Sequence, residues 1–307
     1  MQQCWYVHPD NIERSRKELN VKIAIVARPD FFMQRNDCRQ VIVETTRGVH
    51  TRCYLSASNG IPFLIIYGRF DRVRGMSSDI NFELTQEVIS FLGISHVIGT
   101  FVVGSIREDE KAGSVYVPND LIGMGGYSNS RTKDRAIGFR NVDVLQPFCE
   151  ETRRVLIESS KSLPFAVKPE GTYVCFHGWP RLETLAELQY YKLIGGDVVG
   201  QTLDPELTLA KEAGCHYAAL AVTIDDHEIR TRFLANDRTG LNELNRNMVE
   251  GRRKTFSVFE AALPALAGLS DGTCSCEEQA RLKEKRSEHF YYRPKYLCQS
   301  DDDENKQ

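Results

Sequence analysis

An α/β domain whose mixed or mainly parallel sheet is covered by helices is the fold the sequence predicts. Three observations predict it. Short apolar runs bounded by turn residues recur along the chain, as buried strands do. From residue 147 onward they alternate with segments of helical spacing, the pattern of strands joined by crossover helices. The length, 307 residues, suits one large domain of this kind or two small ones.

Taken in order, Val21–Ala27 (VKIAIVA) is a strand that stops at Arg28-Pro29-Asp30. Val41–Thr45 and Thr51–Leu55 form a hairpin, and Ile61–Gly68 is a second buried strand. Phe82–Leu92 places Phe82, Leu84, Val88, Ile89 and Leu92 at helical spacing and ends at Gly93. His96–Val103 and Tyr116–Ile122 are strands. Residues 124–141, rich in Gly, Ser, Asn and charge, read as a loop or lid. Pro147–Ser160 is a helix, Thr172–Phe176 a strand, Glu183–Ile194 a helix and Val198–Gln201 a strand. Pro205–Ala213 is a helix with proline in its first turn and Gly214 after its end. Tyr217–Ile224 is a strand. Leu241–Leu266 is mostly helix, with Val258, Phe259, Ala262 and Leu263 on its apolar face.

Composition excludes several function classes. The formal charge of −3 offers no basic surface for nucleic acid. The longest apolar runs, Ile61–Tyr67 and Ala218–Ile224, fall far short of the roughly 20 residues a membrane span needs. The N-terminus lacks a charged-then-apolar leader pattern, so a cytoplasmic location is expected. Nine cysteines are scattered along the chain, an odd count that argues against a secreted disulfide framework. No C-x-x-C pair occurs, so no structural zinc or other metal site is expected. Cys274-Ser275-Cys276 is the one local thiol pattern.

Three segments go further. They are His96–Asp109 (HVIGTFVVGSIRED), the stretch with Gln146-Pro147-Phe148-Cys149 followed by RRVLIESSKSL, and Gly171–Ile224 (GTYVCFHGWPR, then GGDVVGQTLDPELTLAKEAGCHYAALAVTI). Together they resemble the purine nucleoside phosphorylase family, in particular its methylthioadenosine phosphorylase branch. The resemblance runs in order from about residue 20 to residue 266. It implies a single nucleoside phosphorylase-like domain, residues 21–290, with a twisted, mixed, partly closed sheet flanked by helices. Residues 1–20 are then an N-terminal extension and 291–307 an acidic tail with no packed core. It also implies a small nucleoside as partner and a homotrimer, with a heteromer containing a paralogue as the alternative. Asp271–Glu277 resembles the C-x-C tail of prokaryotic members, where the two thiols can bridge.

Family chemistry breaks the bond between a purine and C1′ of ribose, with phosphate as nucleophile. It needs a donor at purine N7, contacts to the sugar, and a dense anion site. The resemblance places the catalytic N7 group at Asp225, where a desolvated carboxyl can stay protonated. A carboxylate that caps the following helix is the alternative. His227 stands where the branch has a second Asp. Gln201 and Thr202 fall on the family's sugar-contacting pair, and Leu182 on its base-stacking Phe. His177 replaces a Glu, and Trp179 is inserted nearby. The anion site is the main departure. The glycine-rich loop is replaced by Ala27-Arg28-Pro29-Asp30, an Arg-His pair by Ile66-Tyr67, and a hydroxyl by Phe101, with Thr100 kept. Arg28, Arg69 and Thr100 are candidates for a rebuilt anion site. No cofactor is expected, and the altered positions count against phosphate as co-substrate. Three readings remain open: a glycosidic enzyme with another acceptor, a phosphorylase with a rebuilt site, or a silent homologue that binds a ligand or partner.

Overall fold

The computed structural model describes residues 5–27, 37–44, 50–67, 82–124, 143–176, 181–269 and 274–276. Arg28, Arg69, His177, Trp179, the stretch 125–141 and the acidic tail lie outside the described residues. In chain order the first elements are β1 (Trp5–Val7), a 3-10 turn (Pro9–Asn11), α1 (Ile12–Leu19), β2 (Ile23–Val26), β3 (Arg39–Glu44), β4 (His50–Ser58) and β5 (Ile61–Ile66). Next come α2 (Phe82–Leu92), β6 (His96–Ser105), β7 (Val115–Tyr116), β8 (Asp120–Met124), α3 (Glu150–Ser160), β9 (Val167–Lys168) and β10 (Thr172–Phe176). The last are α4 (Leu185–Leu193), β11 (Val198–Gly200), α5 (Glu206–Glu212), β12 (His216–Thr223), α6 (His227–Leu234) and α7 (Arg238–Ala267).

Period-two alternation explains why both faces of the central strands are buried. In β2, Ile23 and Ile25 point to one face, with Ile65, Ile98 and Leu220, and are covered by Phe256, Phe259 and Leu263 of α7. Ala24 and Val26 point to the other, with Leu64, Val97 and Ala219, under Val88, Ile89 and Leu92 of α2 and Leu207 of α5. Phe259 is fully buried and edge-on to Phe63 at 5.1 Å. Replacing it with Ala would cost about 3–5 kcal/mol. The sheet is mixed. The pairs β2–β5, β2–β6 and β12–β6 are parallel, whereas β3–β4, β4–β5 and β11–β6 are antiparallel.

The partial closure implied by the family resemblance is corrected. The described strands run β1-β3-β4-β5-β2-β6-β11-β10-β8, with β12, β7 and β9 branching from β6, and they do not close. The reason lies in β6. One edge is held by β12 from His96 to Val103. The other edge is held by β2 only through Gly99, and β11 takes it over at Gly104. Hydrogen bonding confirms the side of each. Val103 O accepts from Ile224 N on the β12 edge, while Ile106 N reaches Asp197 O just before β11. Thr100–Val103 therefore lie in a fork between β2 and β11. Strands that diverge in this way open a crevice in which α/β proteins hold ligands.

Other departures have local causes. Residues set apart as an extension contribute β1, which pairs in parallel with β3, and α1. The single strand expected over Tyr116–Ile122 is two, β7 and β8, separated at Pro118, whose ring nitrogen has no hydrogen to give a ladder. Among the described residues no helix is long and apolar enough to cross a membrane.

Candidate functional site

Asp225 follows β12 directly. Its Oδ1 accepts from the Ser105 amide at 2.9 Å, which ties the ends of β12 and β6 together. Both its oxygens also accept from Arg230 on α6, at 3.0 Å from Nε and 2.9 Å from Nη2. The Arg230 Nη2 donates in addition to the Ser105 carbonyl at 2.6 Å. The pair is largely buried, with side-chain exposures of 14% for Asp225 and 18% for Arg230. Gly104 completes the packing. A Cβ there would lie 3.3 Å from Arg230 Nη2 and 3.4 Å from Asp225 Oδ1.

Helix α6 is built to hold this arrangement. The next residue, Asp226, is its N-cap, accepting from Ile229 N at 3.0 Å. The capping role weighed for Asp225 thus falls to its neighbour. Asp225 itself is presented as an acceptor, its oxygens taken up by N–H donors, rather than as the free donor that the sequence suggested. His227, the first residue of α6, is exposed.

A second carboxyl reaches the same place. Glu183, just before α4, is partly buried. Desolvation pushes its carboxyl up from the ordinary value, against the opposing pull of its own backbone, Arg230 and Gln201; the nearby Asp225 pushes it up further. Gln201, at the end of β11, donates from Nε2 to the Arg181 carbonyl at 3.1 Å. Arg181 is itself held by Glu187 at 2.7 and 2.9 Å and lies over the Phe176 ring. Glu187 and Thr184 form a capping box that starts α4. Leu182, beside Glu183, is 53% exposed, and Thr202 is half-buried. Asp225, Arg230, Ser105, Glu183 and Gln201 thus gather around the end of β6. Glu183 and Arg230 carry no sequence motif here. The only advance signal was their nearness in sequence to Leu182 and Asp225.

The anion end differs. Thr100 stands at the start of the fork, but its hydroxyl donates to the Val26 carbonyl at 2.9 Å. The Phe101 ring is buried, edge-on to Tyr173 at 5.6 Å. Its position is therefore filled by core packing and supplies no donor.

At the opposite end of β12 the fold gathers side chains that linear spacing did not connect. Cys149, the N-cap of α3, His216, Cys274 and Cys276 have their sulfur and nitrogen atoms within 4.8 Å of one another. Cys274 and Cys276 are free thiols rather than a bridge. Hydrogen bonding from Cys276, then from His216 and Thr152, holds the Cys149 thiol well below the usual thiol range, and burial pushes Cys274 up.

Comparison with known proteins adds the following. The model of the phosphorylase superfamily matches residues 74–263. The chain is 33% identical over 224 residues to S-methyl-5'-thioadenosine phosphorylase of Hyperthermus butylicus, an alignment covering 70% of this chain and 76% of that protein. It is 38% identical over 145 residues to the probable S-methyl-5'-thioinosine phosphorylase of Thermodesulfovibrio yellowstonii, covering 47% and 54% of the two chains. Among solved structures it superposes, with a TM-score of 0.69, on the adenine complex of a point variant of the adenosine/methylthioadenosine phosphorylase of Schistosoma mansoni. That match covers 86% of this chain and 98% of the other at 23% identity, and it speaks for the fold alone.

Proposed function

The chain belongs to the methylthioadenosine phosphorylase branch of the purine nucleoside phosphorylase family, and from that premise we propose that it breaks the N-glycosidic bond of a methylthioadenosine- or adenosine-like nucleoside with an acceptor other than phosphate. The observation that carries this reading is the anion end of the fork. Thr100 directs its hydroxyl to Val26, and Phe101 is buried against Tyr173. Neither side chain is directed to a phosphate, whose binding needs several convergent donors.

In this reading the base lies over the polar mouth formed by Asp225, Glu183 and Gln201, and the sugar lies toward Thr202. Water is the simplest acceptor. Its oxygen bonds to C1′ as the C1′–N9 bond breaks, the bonding pair passes to the purine, and the water's proton goes to solvent. The purine needs a proton as it leaves. Two carboxyl groups stand at this mouth in different environments, and such a difference separates their roles. Glu183, pushed up by burial, is the proton donor. Asp225, held by three N–H donors, aligns Arg230, whose charge favours the developing purine anion. Leu182 covers the base, and His227 lies at the rim.

One observation favours a second reading. Both oxygens of Asp225 are spent on Arg230 and Ser105, as fits a silent homologue that binds a nucleoside or completes a mixed trimer. In either reading the chain assembles as a trimer. The exposed side chains Leu185, Tyr190 and Leu193 of α4 give it an apolar contact surface.

The test is release of free base from methylthioadenosine, adenosine and inosine, each with and without millimolar phosphate. Release that is indifferent to phosphate supports the proposal. Release that requires phosphate restores the ordinary phosphorylase reaction, with an anion site rebuilt from arginines such as Arg28 and Arg69. Silence on every nucleoside favours the second reading.

A further inference from the structure

We propose that Cys149, His216, Cys274 and Cys276 form a tetrahedral Cys3His site for zinc that fastens the chain beyond α7 to the core. The four ligand atoms come from three separate parts of the fold and lie within 4.8 Å of one another. Zinc binds thiolate at about 2.3 Å and imidazole at about 2.0–2.1 Å. A tetrahedron with those arms separates two sulfurs by about 3.8 Å, and a sulfur from a nitrogen by about 3.6 Å. Cys149 Sγ stands 3.8 Å from Cys274 Sγ and 3.6 Å from His216 Nδ1. The Cys274 Sγ to His216 Nδ1 distance, 3.0 Å, must widen to accept the ion.

Two of the ligands are positioned by contacts outside the cluster. The Cys149 backbone N–H donates to the Tyr217 carbonyl at 2.8 Å, which docks the start of α3 onto β12. The His216 amide bonds the Ser95 carbonyl at 2.8 Å, and its ring stacks on His96 at 4.6 Å. The Cys276 amide donates to Cys274 Sγ at 3.4 Å, an N–H to sulfur contact that favours a thiolate ligand. Three thiolates around a divalent ion leave one negative charge. Lys211 of α5 donates from Nζ to the carbonyl of Gln146, three residues before Cys149, and so brings a positive charge to this end of the fold.

Thiolate-rich tetrahedra select zinc over magnesium or calcium. Four protein ligands make the site closed, hence structural rather than catalytic. Location agrees. His216 and Asp225 are nine residues apart at opposite ends of β12, about 30 Å along an extended strand. The expectation of no zinc site rested on spacing along the chain. His216 is 67 residues from Cys149 and 58 from Cys274, separations that form no linear motif.

The site is tested on the full-length chain, reduced, incubated with zinc chloride and desalted. Zinc is read by elemental mass spectrometry, and the fold is checked by circular dichroism. The result expected is about one zinc per wild-type chain and Cys38→Ser chain, with at least a tenfold loss of retained zinc in Cys276→Ser. Cobalt in place of zinc should give a thiolate-to-metal charge-transfer band that weakens in the same variant. The proposal is overturned if the reduced wild-type chain retains no zinc. It is equally overturned if Cys276→Ser retains as much as wild type, or if the purified thiols resist reduction as a Cys274–Cys276 bridge. None of these readouts depends on the reaction proposed above.

Discussion

Asp225 and Arg230 stand five residues apart in sequence, and their side chains meet in a two-pronged ion pair at 2.9 and 3.0 Å. The pair joins the end of β12 to the first turns of α6 and, through Ser105, to the end of β6. Removing one partner of such a largely buried pair strands the other charge. Arg230→Met is therefore expected to lower unfolding free energy by about 2–4 kcal/mol, read from urea denaturation. Asp225→Asn keeps the shape and one acceptor, so its stability loss should be smaller. Equal losses would deny the pair its role.

Glu183 should leave a signature in the pH profile. Its carboxyl is pushed up by burial, and the reactive form is the protonated one. Base release should then fall as pH rises through its folded value. Glu183→Gln should lower turnover by about 10²–10⁴-fold and flatten that limb, with little change in KM. An unaltered profile would remove Glu183 from the reaction.

Gly99 has no room for a side chain. A Cβ there would lie 2.2 Å from Tyr217 Oη and 2.7 Å from Glu206 Oε1. Those two groups are buried and joined by a 2.8 Å hydrogen bond. Gly99→Ala should cost about 2–3 kcal/mol by overpacking, measurable as a drop in Tm.

Away from the fork, Glu110 is buried and bonded to Lys168 and to the Tyr116 hydroxyl. Burial pushes its carboxyl up, but Lys168, Ser114 and Tyr116 outweigh this, and its net shift is downward. A lowered folded value means that the stabilisation is fully present above the unfolded carboxylate range and is lost as pH falls through the folded value. Glu110→Gln should thus lower Tm at neutral pH and converge with wild type in acid. Tyr116→Phe, which removes one donor, should cost about 1–2 kcal/mol at neutral pH.

The central strands were legible because Ile23–Val26 and Ile61–Ile66 are short apolar runs that only a buried strand explains, and α2 and α7 because their apolar residues repeat at helical spacing. Helix α6 was not. Its sequence, HEIRTRFL, carries only scattered apolar residues, and its cap lies inside the run Asp225-Asp226-His227, which reads equally well as a reactive cluster. The fork at β6 depends on which strand takes which edge, and residue type does not encode that. Family resemblance alone pointed to Asp225 and Gln201 as candidates. The partner of Asp225 was not legible, because an Arg five residues on in sequence is usually solvated surface. The raised carboxyl of Glu183 comes from burial, which appears only once β11, α4 and α6 have met. The cysteine and histidine cluster was invisible for the same reason.

The most direct test of the central claim identifies the sugar product. The chain is incubated with methylthioadenosine in ¹⁸O-labelled water containing millimolar phosphate, and the sugar is analysed by phosphorus NMR and mass spectrometry. A free sugar carrying one labelled oxygen, with no sugar 1-phosphate, is the result predicted. A sugar 1-phosphate as the main product would contradict it and return the chain to phosphorolysis.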